Sequence, residues 1–157
     1  MKRCSTGGSC ETTRAATRLP GTSFTEGIKA SVRPRKGEKI EFYRADGDAF
    51  RAAFKLERER VCDLVVHLEA VARDVLLLLE LKGSHPSRGF TQIEATYAAI
   101  QTCVHAEAER RRKASPRIEG LILSHGSSPL RDSKMLPIRR RTIPKTAKSF
   151  DFGEYLR

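Results

Sequence analysis

The run Val75-Leu76-Leu77-Leu78-Leu79-Glu80-Leu81-Lys82, closed by Gly83, restricts the fold of this chain more than any other feature. It falls far short of the roughly 20 apolar residues that a bilayer-spanning helix needs. Its brevity and its glycine stop suit a strand buried on both faces at the centre of a sheet. Glu80 and Lys82 are two apart, so on a strand their side chains point to the same face. Two charges on one face of an apolar strand are costly unless they pair, hold an ion or lie at the strand's open end.

The surrounding sequence supplies the rest of an α/β domain. Val61-Cys62-Asp63-Leu64-Val65-Val66-His67-Leu68 is apolar and β-branched, which predicts a second strand with Asp63 inside it. Residues 39–44 alternate as a further strand, and Asp46-Gly47-Asp48 reads as a turn. Residues 49–56 fit a short helix or a strand, residues 69–74 read as a connection, and 83–87 read as a loop. Phe90, Ile93, Tyr97, Ile100 and Val104 then recur at helical spacing, with Thr91 and Glu94 as a capping box in the first turn. This helix is expected to reach about residue 113 before Pro116 ends it, and residues 118–124 form another strand. Three strands, a helix and a strand predict a mixed α/β sheet with a right-handed crossover helix.

Organisation follows from composition. Residues 1–36 are rich in Ser, Thr, Gly, Lys and Arg and read as a disordered basic leader with a short helix around 11–18. Residues 37–126 form the core, and 127–157 a basic C-terminal segment with an edge strand at 149–156. Thirty Lys and Arg against nineteen Asp and Glu give a net charge of +11, which attracts polyanions and makes nucleic acid the expected partner. Arg110, Arg111, Arg112 and Lys113, with Arg139, Arg140 and Arg141, are the candidate phosphate contacts. A solvated helix end is the plainer reading of the first run, since cations suit a helix C-terminus.

Aromatic residues are 6% of the chain and Trp is absent, which argues against a base-stacking platform. Cys4, Cys10, Cys62 and Cys103 form no CxxC pair and His67, His85, His105 and His125 are isolated, so zinc-site spacing is missing. Cys62 and Cys103 read as small buried side chains, Cys4 and Cys10 as unpaired thiols, and His67 and His85 as surface or loop residues. Neither an apolar span nor a secretory leader is evident, so a cytoplasmic protein without a membrane partner is expected.

If the strands of Asp63 and Glu80 are neighbours, two carboxylates and the Lys82 ammonium converge at one end of the sheet. That set suits phosphodiester hydrolysis: Asp63 and Glu80 hold Mg²⁺ (or Mn²⁺), a hard cation that takes few protein ligands. Lys82 orients the attacking water or stabilises charge on the phosphorane oxygens. An Asp on one strand followed by Glu-x-Lys on the next resembles the PD-(D/E)XK nuclease superfamily, with Cys62 standing where the motif's name has Pro. The resemblance covers residues 39–124 and implies a restriction-endonuclease-like fold flanked by basic flexible tails. It implies cleavage of DNA more often than RNA, a helical Gln that assists the site, here Gln92, and compatibility with a homodimer. Two other functions compete: a catalytically inactive module of the same fold that binds nucleic acid or a partner, and a basic ribosome-associated protein.

Overall fold

The computed structural model describes residues 18–19, 23–26, 28–56, 58–82, 86–124, 132–142 and 149–157, with side chains from residue 31 onward except at 82, 86 and 149. In chain order the elements are β1 (Arg18–Leu19), β2 (Ser23–Glu26), β3 (Ile28–Ser31), β4 (Lys39–Arg44), α1 (Asp48–Phe54), β5 (Leu64–Ala70) and β6 (Arg73–Lys82). There follow α2 (Pro86–Arg110), β7 (Arg117–Ser124), β8 (Ile138–Thr142), β9 (Ser149–Asp151) and α3 (Gly153–Leu156).

The main sheet has six strands in the order β1-β4-β5-β6-β7-β8. Strands β4, β5 and β6 form an antiparallel meander, while β6, β7 and β8 are mutually parallel. The long helix α2 makes the crossover that a parallel β6–β7 pair demands. The mixed α/β sheet expected from the sequence is therefore present. Among the described residues, no helix is long and apolar enough to cross a membrane.

Strand β6 lies mid-sheet and is buried on both faces, as its leucine run predicts. Leu76 and Leu78 join one core layer with Phe90, Ile93 and Ile100 of α2 and Ile122 of β7. Val75, Leu77 and Leu79 join the other, with Phe42, Leu121, Phe152 and Leu156. That second face is closed by α3 and its flanking Phe152, and a three-stranded sheet, β2-β3-β9, extends through this C-terminal stretch. The side chains of Ile93 and Ile138 pack directly onto Gly120, where a Cβ would lie 2.9 Å from Ile93 Cγ2 and 3.0 Å from Ile138 Cγ1.

Several boundaries differ from those the sequence predicts. Residues 69–74 are not a loop: β5 and β6 continue into a hairpin whose last pair is Ala70↔Arg73, with Val71-Ala72 as the turn. The charges at 69, 73 and 74 obscure the strand pattern there. Residues 49–54 are helical. Within α1, the Arg51 guanidinium donates to the carbonyls of Asp46, Leu56 and Glu59, fastening the loop that leads into the site. Helix α2 opens at Pro86, where a missing N–H is harmless, so residues 86–87 belong to the helix. Thr91 is consequently not a cap; its hydroxyl turns back 3.5 Å to the Ser87 carbonyl, and Glu94 accepts instead from Ser133 Oγ at 2.8 Å.

Part of the stretch read as a disordered leader is strand: β1 pairs with β4, and β3 with both β2 and β9. Distant partners supply the order that local composition does not. Residues 11–17 of the expected short helix lie outside the described residues, and Arg18 is in β1. The arginines at 139–141 are in β8, at the edge of the main sheet, a position where charged residues guard an exposed strand. The edge strand expected over 149–156 shrinks to β9, followed by α3.

The last residue ties the second layer down. Arg157 donates to both Glu38 oxygens, at 3.1 and 2.9 Å, and to the Arg33 carbonyl at 2.7 Å. The Arg157 hydrogen bond, against the opposing effect of burial, holds the Glu38 carboxyl down at about 2. A carboxyl depressed on folding contributes stability that is complete above its unfolded value, near 4.5, and is lost as pH falls toward about 2. Thermal unfolding across this acid range is expected to show a shallower decline for Arg157→Ala than for the wild type. Parallel curves would mean that the pair contributes nothing to acid sensitivity.

Candidate active site

The β5–β6 ladder ends at Leu64↔Leu79, and beyond it side chains replace backbone pairing. Asp63 donates its N–H to Glu80 Oε2 at 3.0 Å, and Leu81 donates its N–H to Asp63 Oδ2 at 2.6 Å. Each carboxylate is thus anchored on the other strand's backbone. Asp63 stands just before β5 and not within a strand as the sequence suggested, because its N–H serves a carboxylate instead of a ladder carbonyl. Its own carbonyl accepts from Ala45 N–H at 3.1 Å, which holds it to the end of β4.

Glu80 is fully buried and Asp63 half-buried. A hydrogen bond to a buried carboxyl group offsets part of the cost of taking it out of water. The sheet therefore does bring Asp63 and Glu80 together. Lys82 ends β6 two residues beyond Glu80, and its side chain lies outside the described residues.

Gln92 reaches the same segment. Its Nε2 donates to the Val61 carbonyl at 2.7 Å, so it orients the backbone leading into Asp63. One turn on, the buried Thr96 hydroxyl accepts from Cys62 N–H at 2.9 Å and donates to the Gln92 carbonyl at 2.8 Å. Thr96 was not singled out from the sequence; its signal is a polar residue four beyond Gln92, beside the apolar stripe of Ile93 and Tyr97. Burial, reinforced by the charges of Glu80 and Asp63, pushes the Cys62 thiol up, so it remains protonated and unreactive. Cys103 is partly exposed, while Cys4 and Cys10 lie outside the described residues.

The cationic runs are not equivalent. Arg110 and Arg111 are held by Glu107, both at 2.6 Å, and Lys113 by Glu69 at 3.0 Å. Glu69 lies near the hairpin turn, so this run sits at the opposite end of the sheet from Asp63 and Glu80. A cavity of about 970 Å³ opens at that end among Glu69, Arg73, Asp74, Lys113 and Arg117, away from the carboxylate pair. Arg139 pairs with buried Glu119 at 3.3 Å, whereas the Arg140 Nε donates to Ser124 Oγ at 3.0 Å. His67 lies within β5, 2.7 Å from Asp74 and 4.0 Å from Glu41. His85 and His125 lie outside the described residues.

Two carboxylates, both hard oxygen donors, fit a small divalent cation better than a soft one. Among the described residues, no group of three or more His, Cys, Asp and Glu side chains has metal-binding geometry. Comparison with family models, with curated proteins and with solved structures finds no match for the chain.

Proposed function

We propose that this chain is a metal-dependent nuclease of the restriction-endonuclease-like, PD-(D/E)XK type, hydrolysing phosphodiester bonds in nucleic acid, DNA before RNA. The observation that carries the reading is the reciprocal clamp of Asp63 and Glu80 at the end of the β5–β6 ladder. The antiparallel meander, crossover helix and parallel β7 that surround it agree with the fold the motif implies.

In this reading Asp63 and Glu80 are the residues that hold Mg²⁺ or Mn²⁺. Such an ion, when bound, supplies an acidified water and polarises the phosphate. Water adds to phosphorus, the bond to the departing sugar oxygen breaks, and that oxygen leaves with a proton. Lys82 carries the positive charge that orients the water and offsets charge gathering on phosphate. Gln92 and Thr96 act one step removed, by fixing the Val61-Cys62 backbone from which Asp63 projects.

The test is incubation of purified protein with plasmid, linear duplex, single-stranded DNA and RNA, in Mg²⁺, in Mn²⁺ and in EDTA. Products are expected with a divalent ion and absent in EDTA. No cleavage of any substrate with either ion, or cleavage undiminished by EDTA, would end the proposal. Binding without turnover would point instead to an inactive module of the same fold.

A further inference from the structure

Building on the nuclease reading of Asp63 and Glu80, we infer that Arg140 grips a phosphate of the substrate strand beside the one being cut, making the substrate a polynucleotide backbone that passes the carboxyl ends of β6, β7 and β8. In register, Glu80 pairs with Ile122, and Ile122 with Arg140. Residues directly opposite one another share a face of a sheet. Ile122 belongs to the layer beneath α2 with Phe90 and Ile93, so Arg140 shares the face of Glu80. Two strand spacings of roughly 4.8 Å put their backbones about 10 Å apart, within one side-chain reach of a bound strand.

Arg140 is partly buried, and its Nε donates to the buried Ser124 hydroxyl at 3.0 Å. Ser124 ends β7 and pairs with Lys82, so the guanidinium is moored at the carboxyl ends of the three parallel strands. Ligands of α/β sheets gather at that end of the strands. A planar guanidinium with its orientation fixed matches two phosphate oxygens at once. Arg139 and Arg141 alternate to the other face, where Arg139 is engaged by Glu119. The helix-end cations lie beyond the far end of the sheet. Of the seven basic residues singled out from the sequence, Arg140 is the one aligned in register with Glu80.

Binding of a labelled oligonucleotide, measured in EDTA over a series of salt concentrations, reads this contact without turnover. Arg140→Ala is expected to weaken affinity about tenfold and to reduce the slope of log affinity against log salt by about one. Lys39→Ala removes an exposed cation at the opposite end of the sheet and is expected to match the wild type. Arg140→Gln keeps a donor for Ser124 but loses the charge, so it repeats the loss of slope if the alanine variant folds poorly. Arg140→Lys is expected to restore the slope but not the full affinity. In cleavage assays the alanine and glutamine variants are expected to raise KM more than they lower kcat.

A chain that cleaves nucleic acid, with Arg140→Ala and Arg140→Gln both matching wild type in slope and KM, would overturn the contact and leave the nuclease reading intact. A chain that never cleaves but loses one unit of slope in these variants would remove the nuclease reading and retain the phosphate contact.

Discussion

Glu80→Gln is expected to lower metal-dependent cleavage on the order of 10³-fold while leaving the unfolding temperature nearly unchanged. Glutamine keeps the shape of the side chain and an oxygen to accept the Asp63 N–H that Glu80 receives at 3.0 Å. What it loses is the anionic charge with which this fully buried group would hold a divalent cation. Because glutamine can keep the hydrogen bond from the Asp63 N–H, the substitution is expected to cost little stability. Glu80→Ala separates the two roles, because it also leaves the Asp63 N–H without its acceptor. That unsatisfied donor costs about 1–3 kcal/mol if no water replaces the carboxylate. Cleavage rates and thermal melts of both variants make the comparison. A glutamine variant that cuts at close to the wild-type rate would remove Glu80 from the chemistry.

Phe90→Ala is expected to destabilise the protein by about 3–5 kcal/mol, the usual cost of deleting a buried aromatic ring and leaving a cavity. Phe90 is 2% exposed and is packed in the core layer between α2 and the main sheet. It stands two residues before Gln92 and six before Thr96, whose hydrogen bonds fix the Val61 carbonyl and the Cys62 N–H. Loosening the start of α2 is therefore expected to impair cleavage at temperatures where the protein is still folded. Urea unfolding gives the stability loss, with an unchanged dependence on denaturant as the check on two-state behaviour. A loss below about 1 kcal/mol would mean that this end of the helix is not held by its aromatic anchor.

The central strand was legible because Val75 to Leu79 leaves a short segment few alternatives, and both faces of β6 are indeed buried. The meeting of Asp63 with Glu80 was legible as well, through the strand pair that carries them. Its manner was not. Asp63 sits among apolar residues and so imitates a strand interior, although its N–H has left the ladder for a side chain. Local pattern cannot register that exchange. Strand β8 was hidden for the opposite reason: an exposed edge needs no apolar alternation, so its arginines read as a flexible basic tail. β1 and β3 depend on β4 and β9, partners that composition in a window around residues 18–31 does not reveal. Arg139 and Arg140 look alike in the sequence, yet the period of two in β8 sends one to Glu119 and the other to Ser124.

The two-residue reversal at Val71-Ala72 has a kinetic consequence. The aspartate and glutamate are 17 positions apart along the chain, joined by the shortest connection between adjacent strands of the main sheet. Closing a short loop forfeits less chain entropy than aligning β6 with β7, which must wait for the whole of α2. Zippering from the turn is expected to bring the acidic pair together early, ahead of the docking of α2 with its glutamine and threonine.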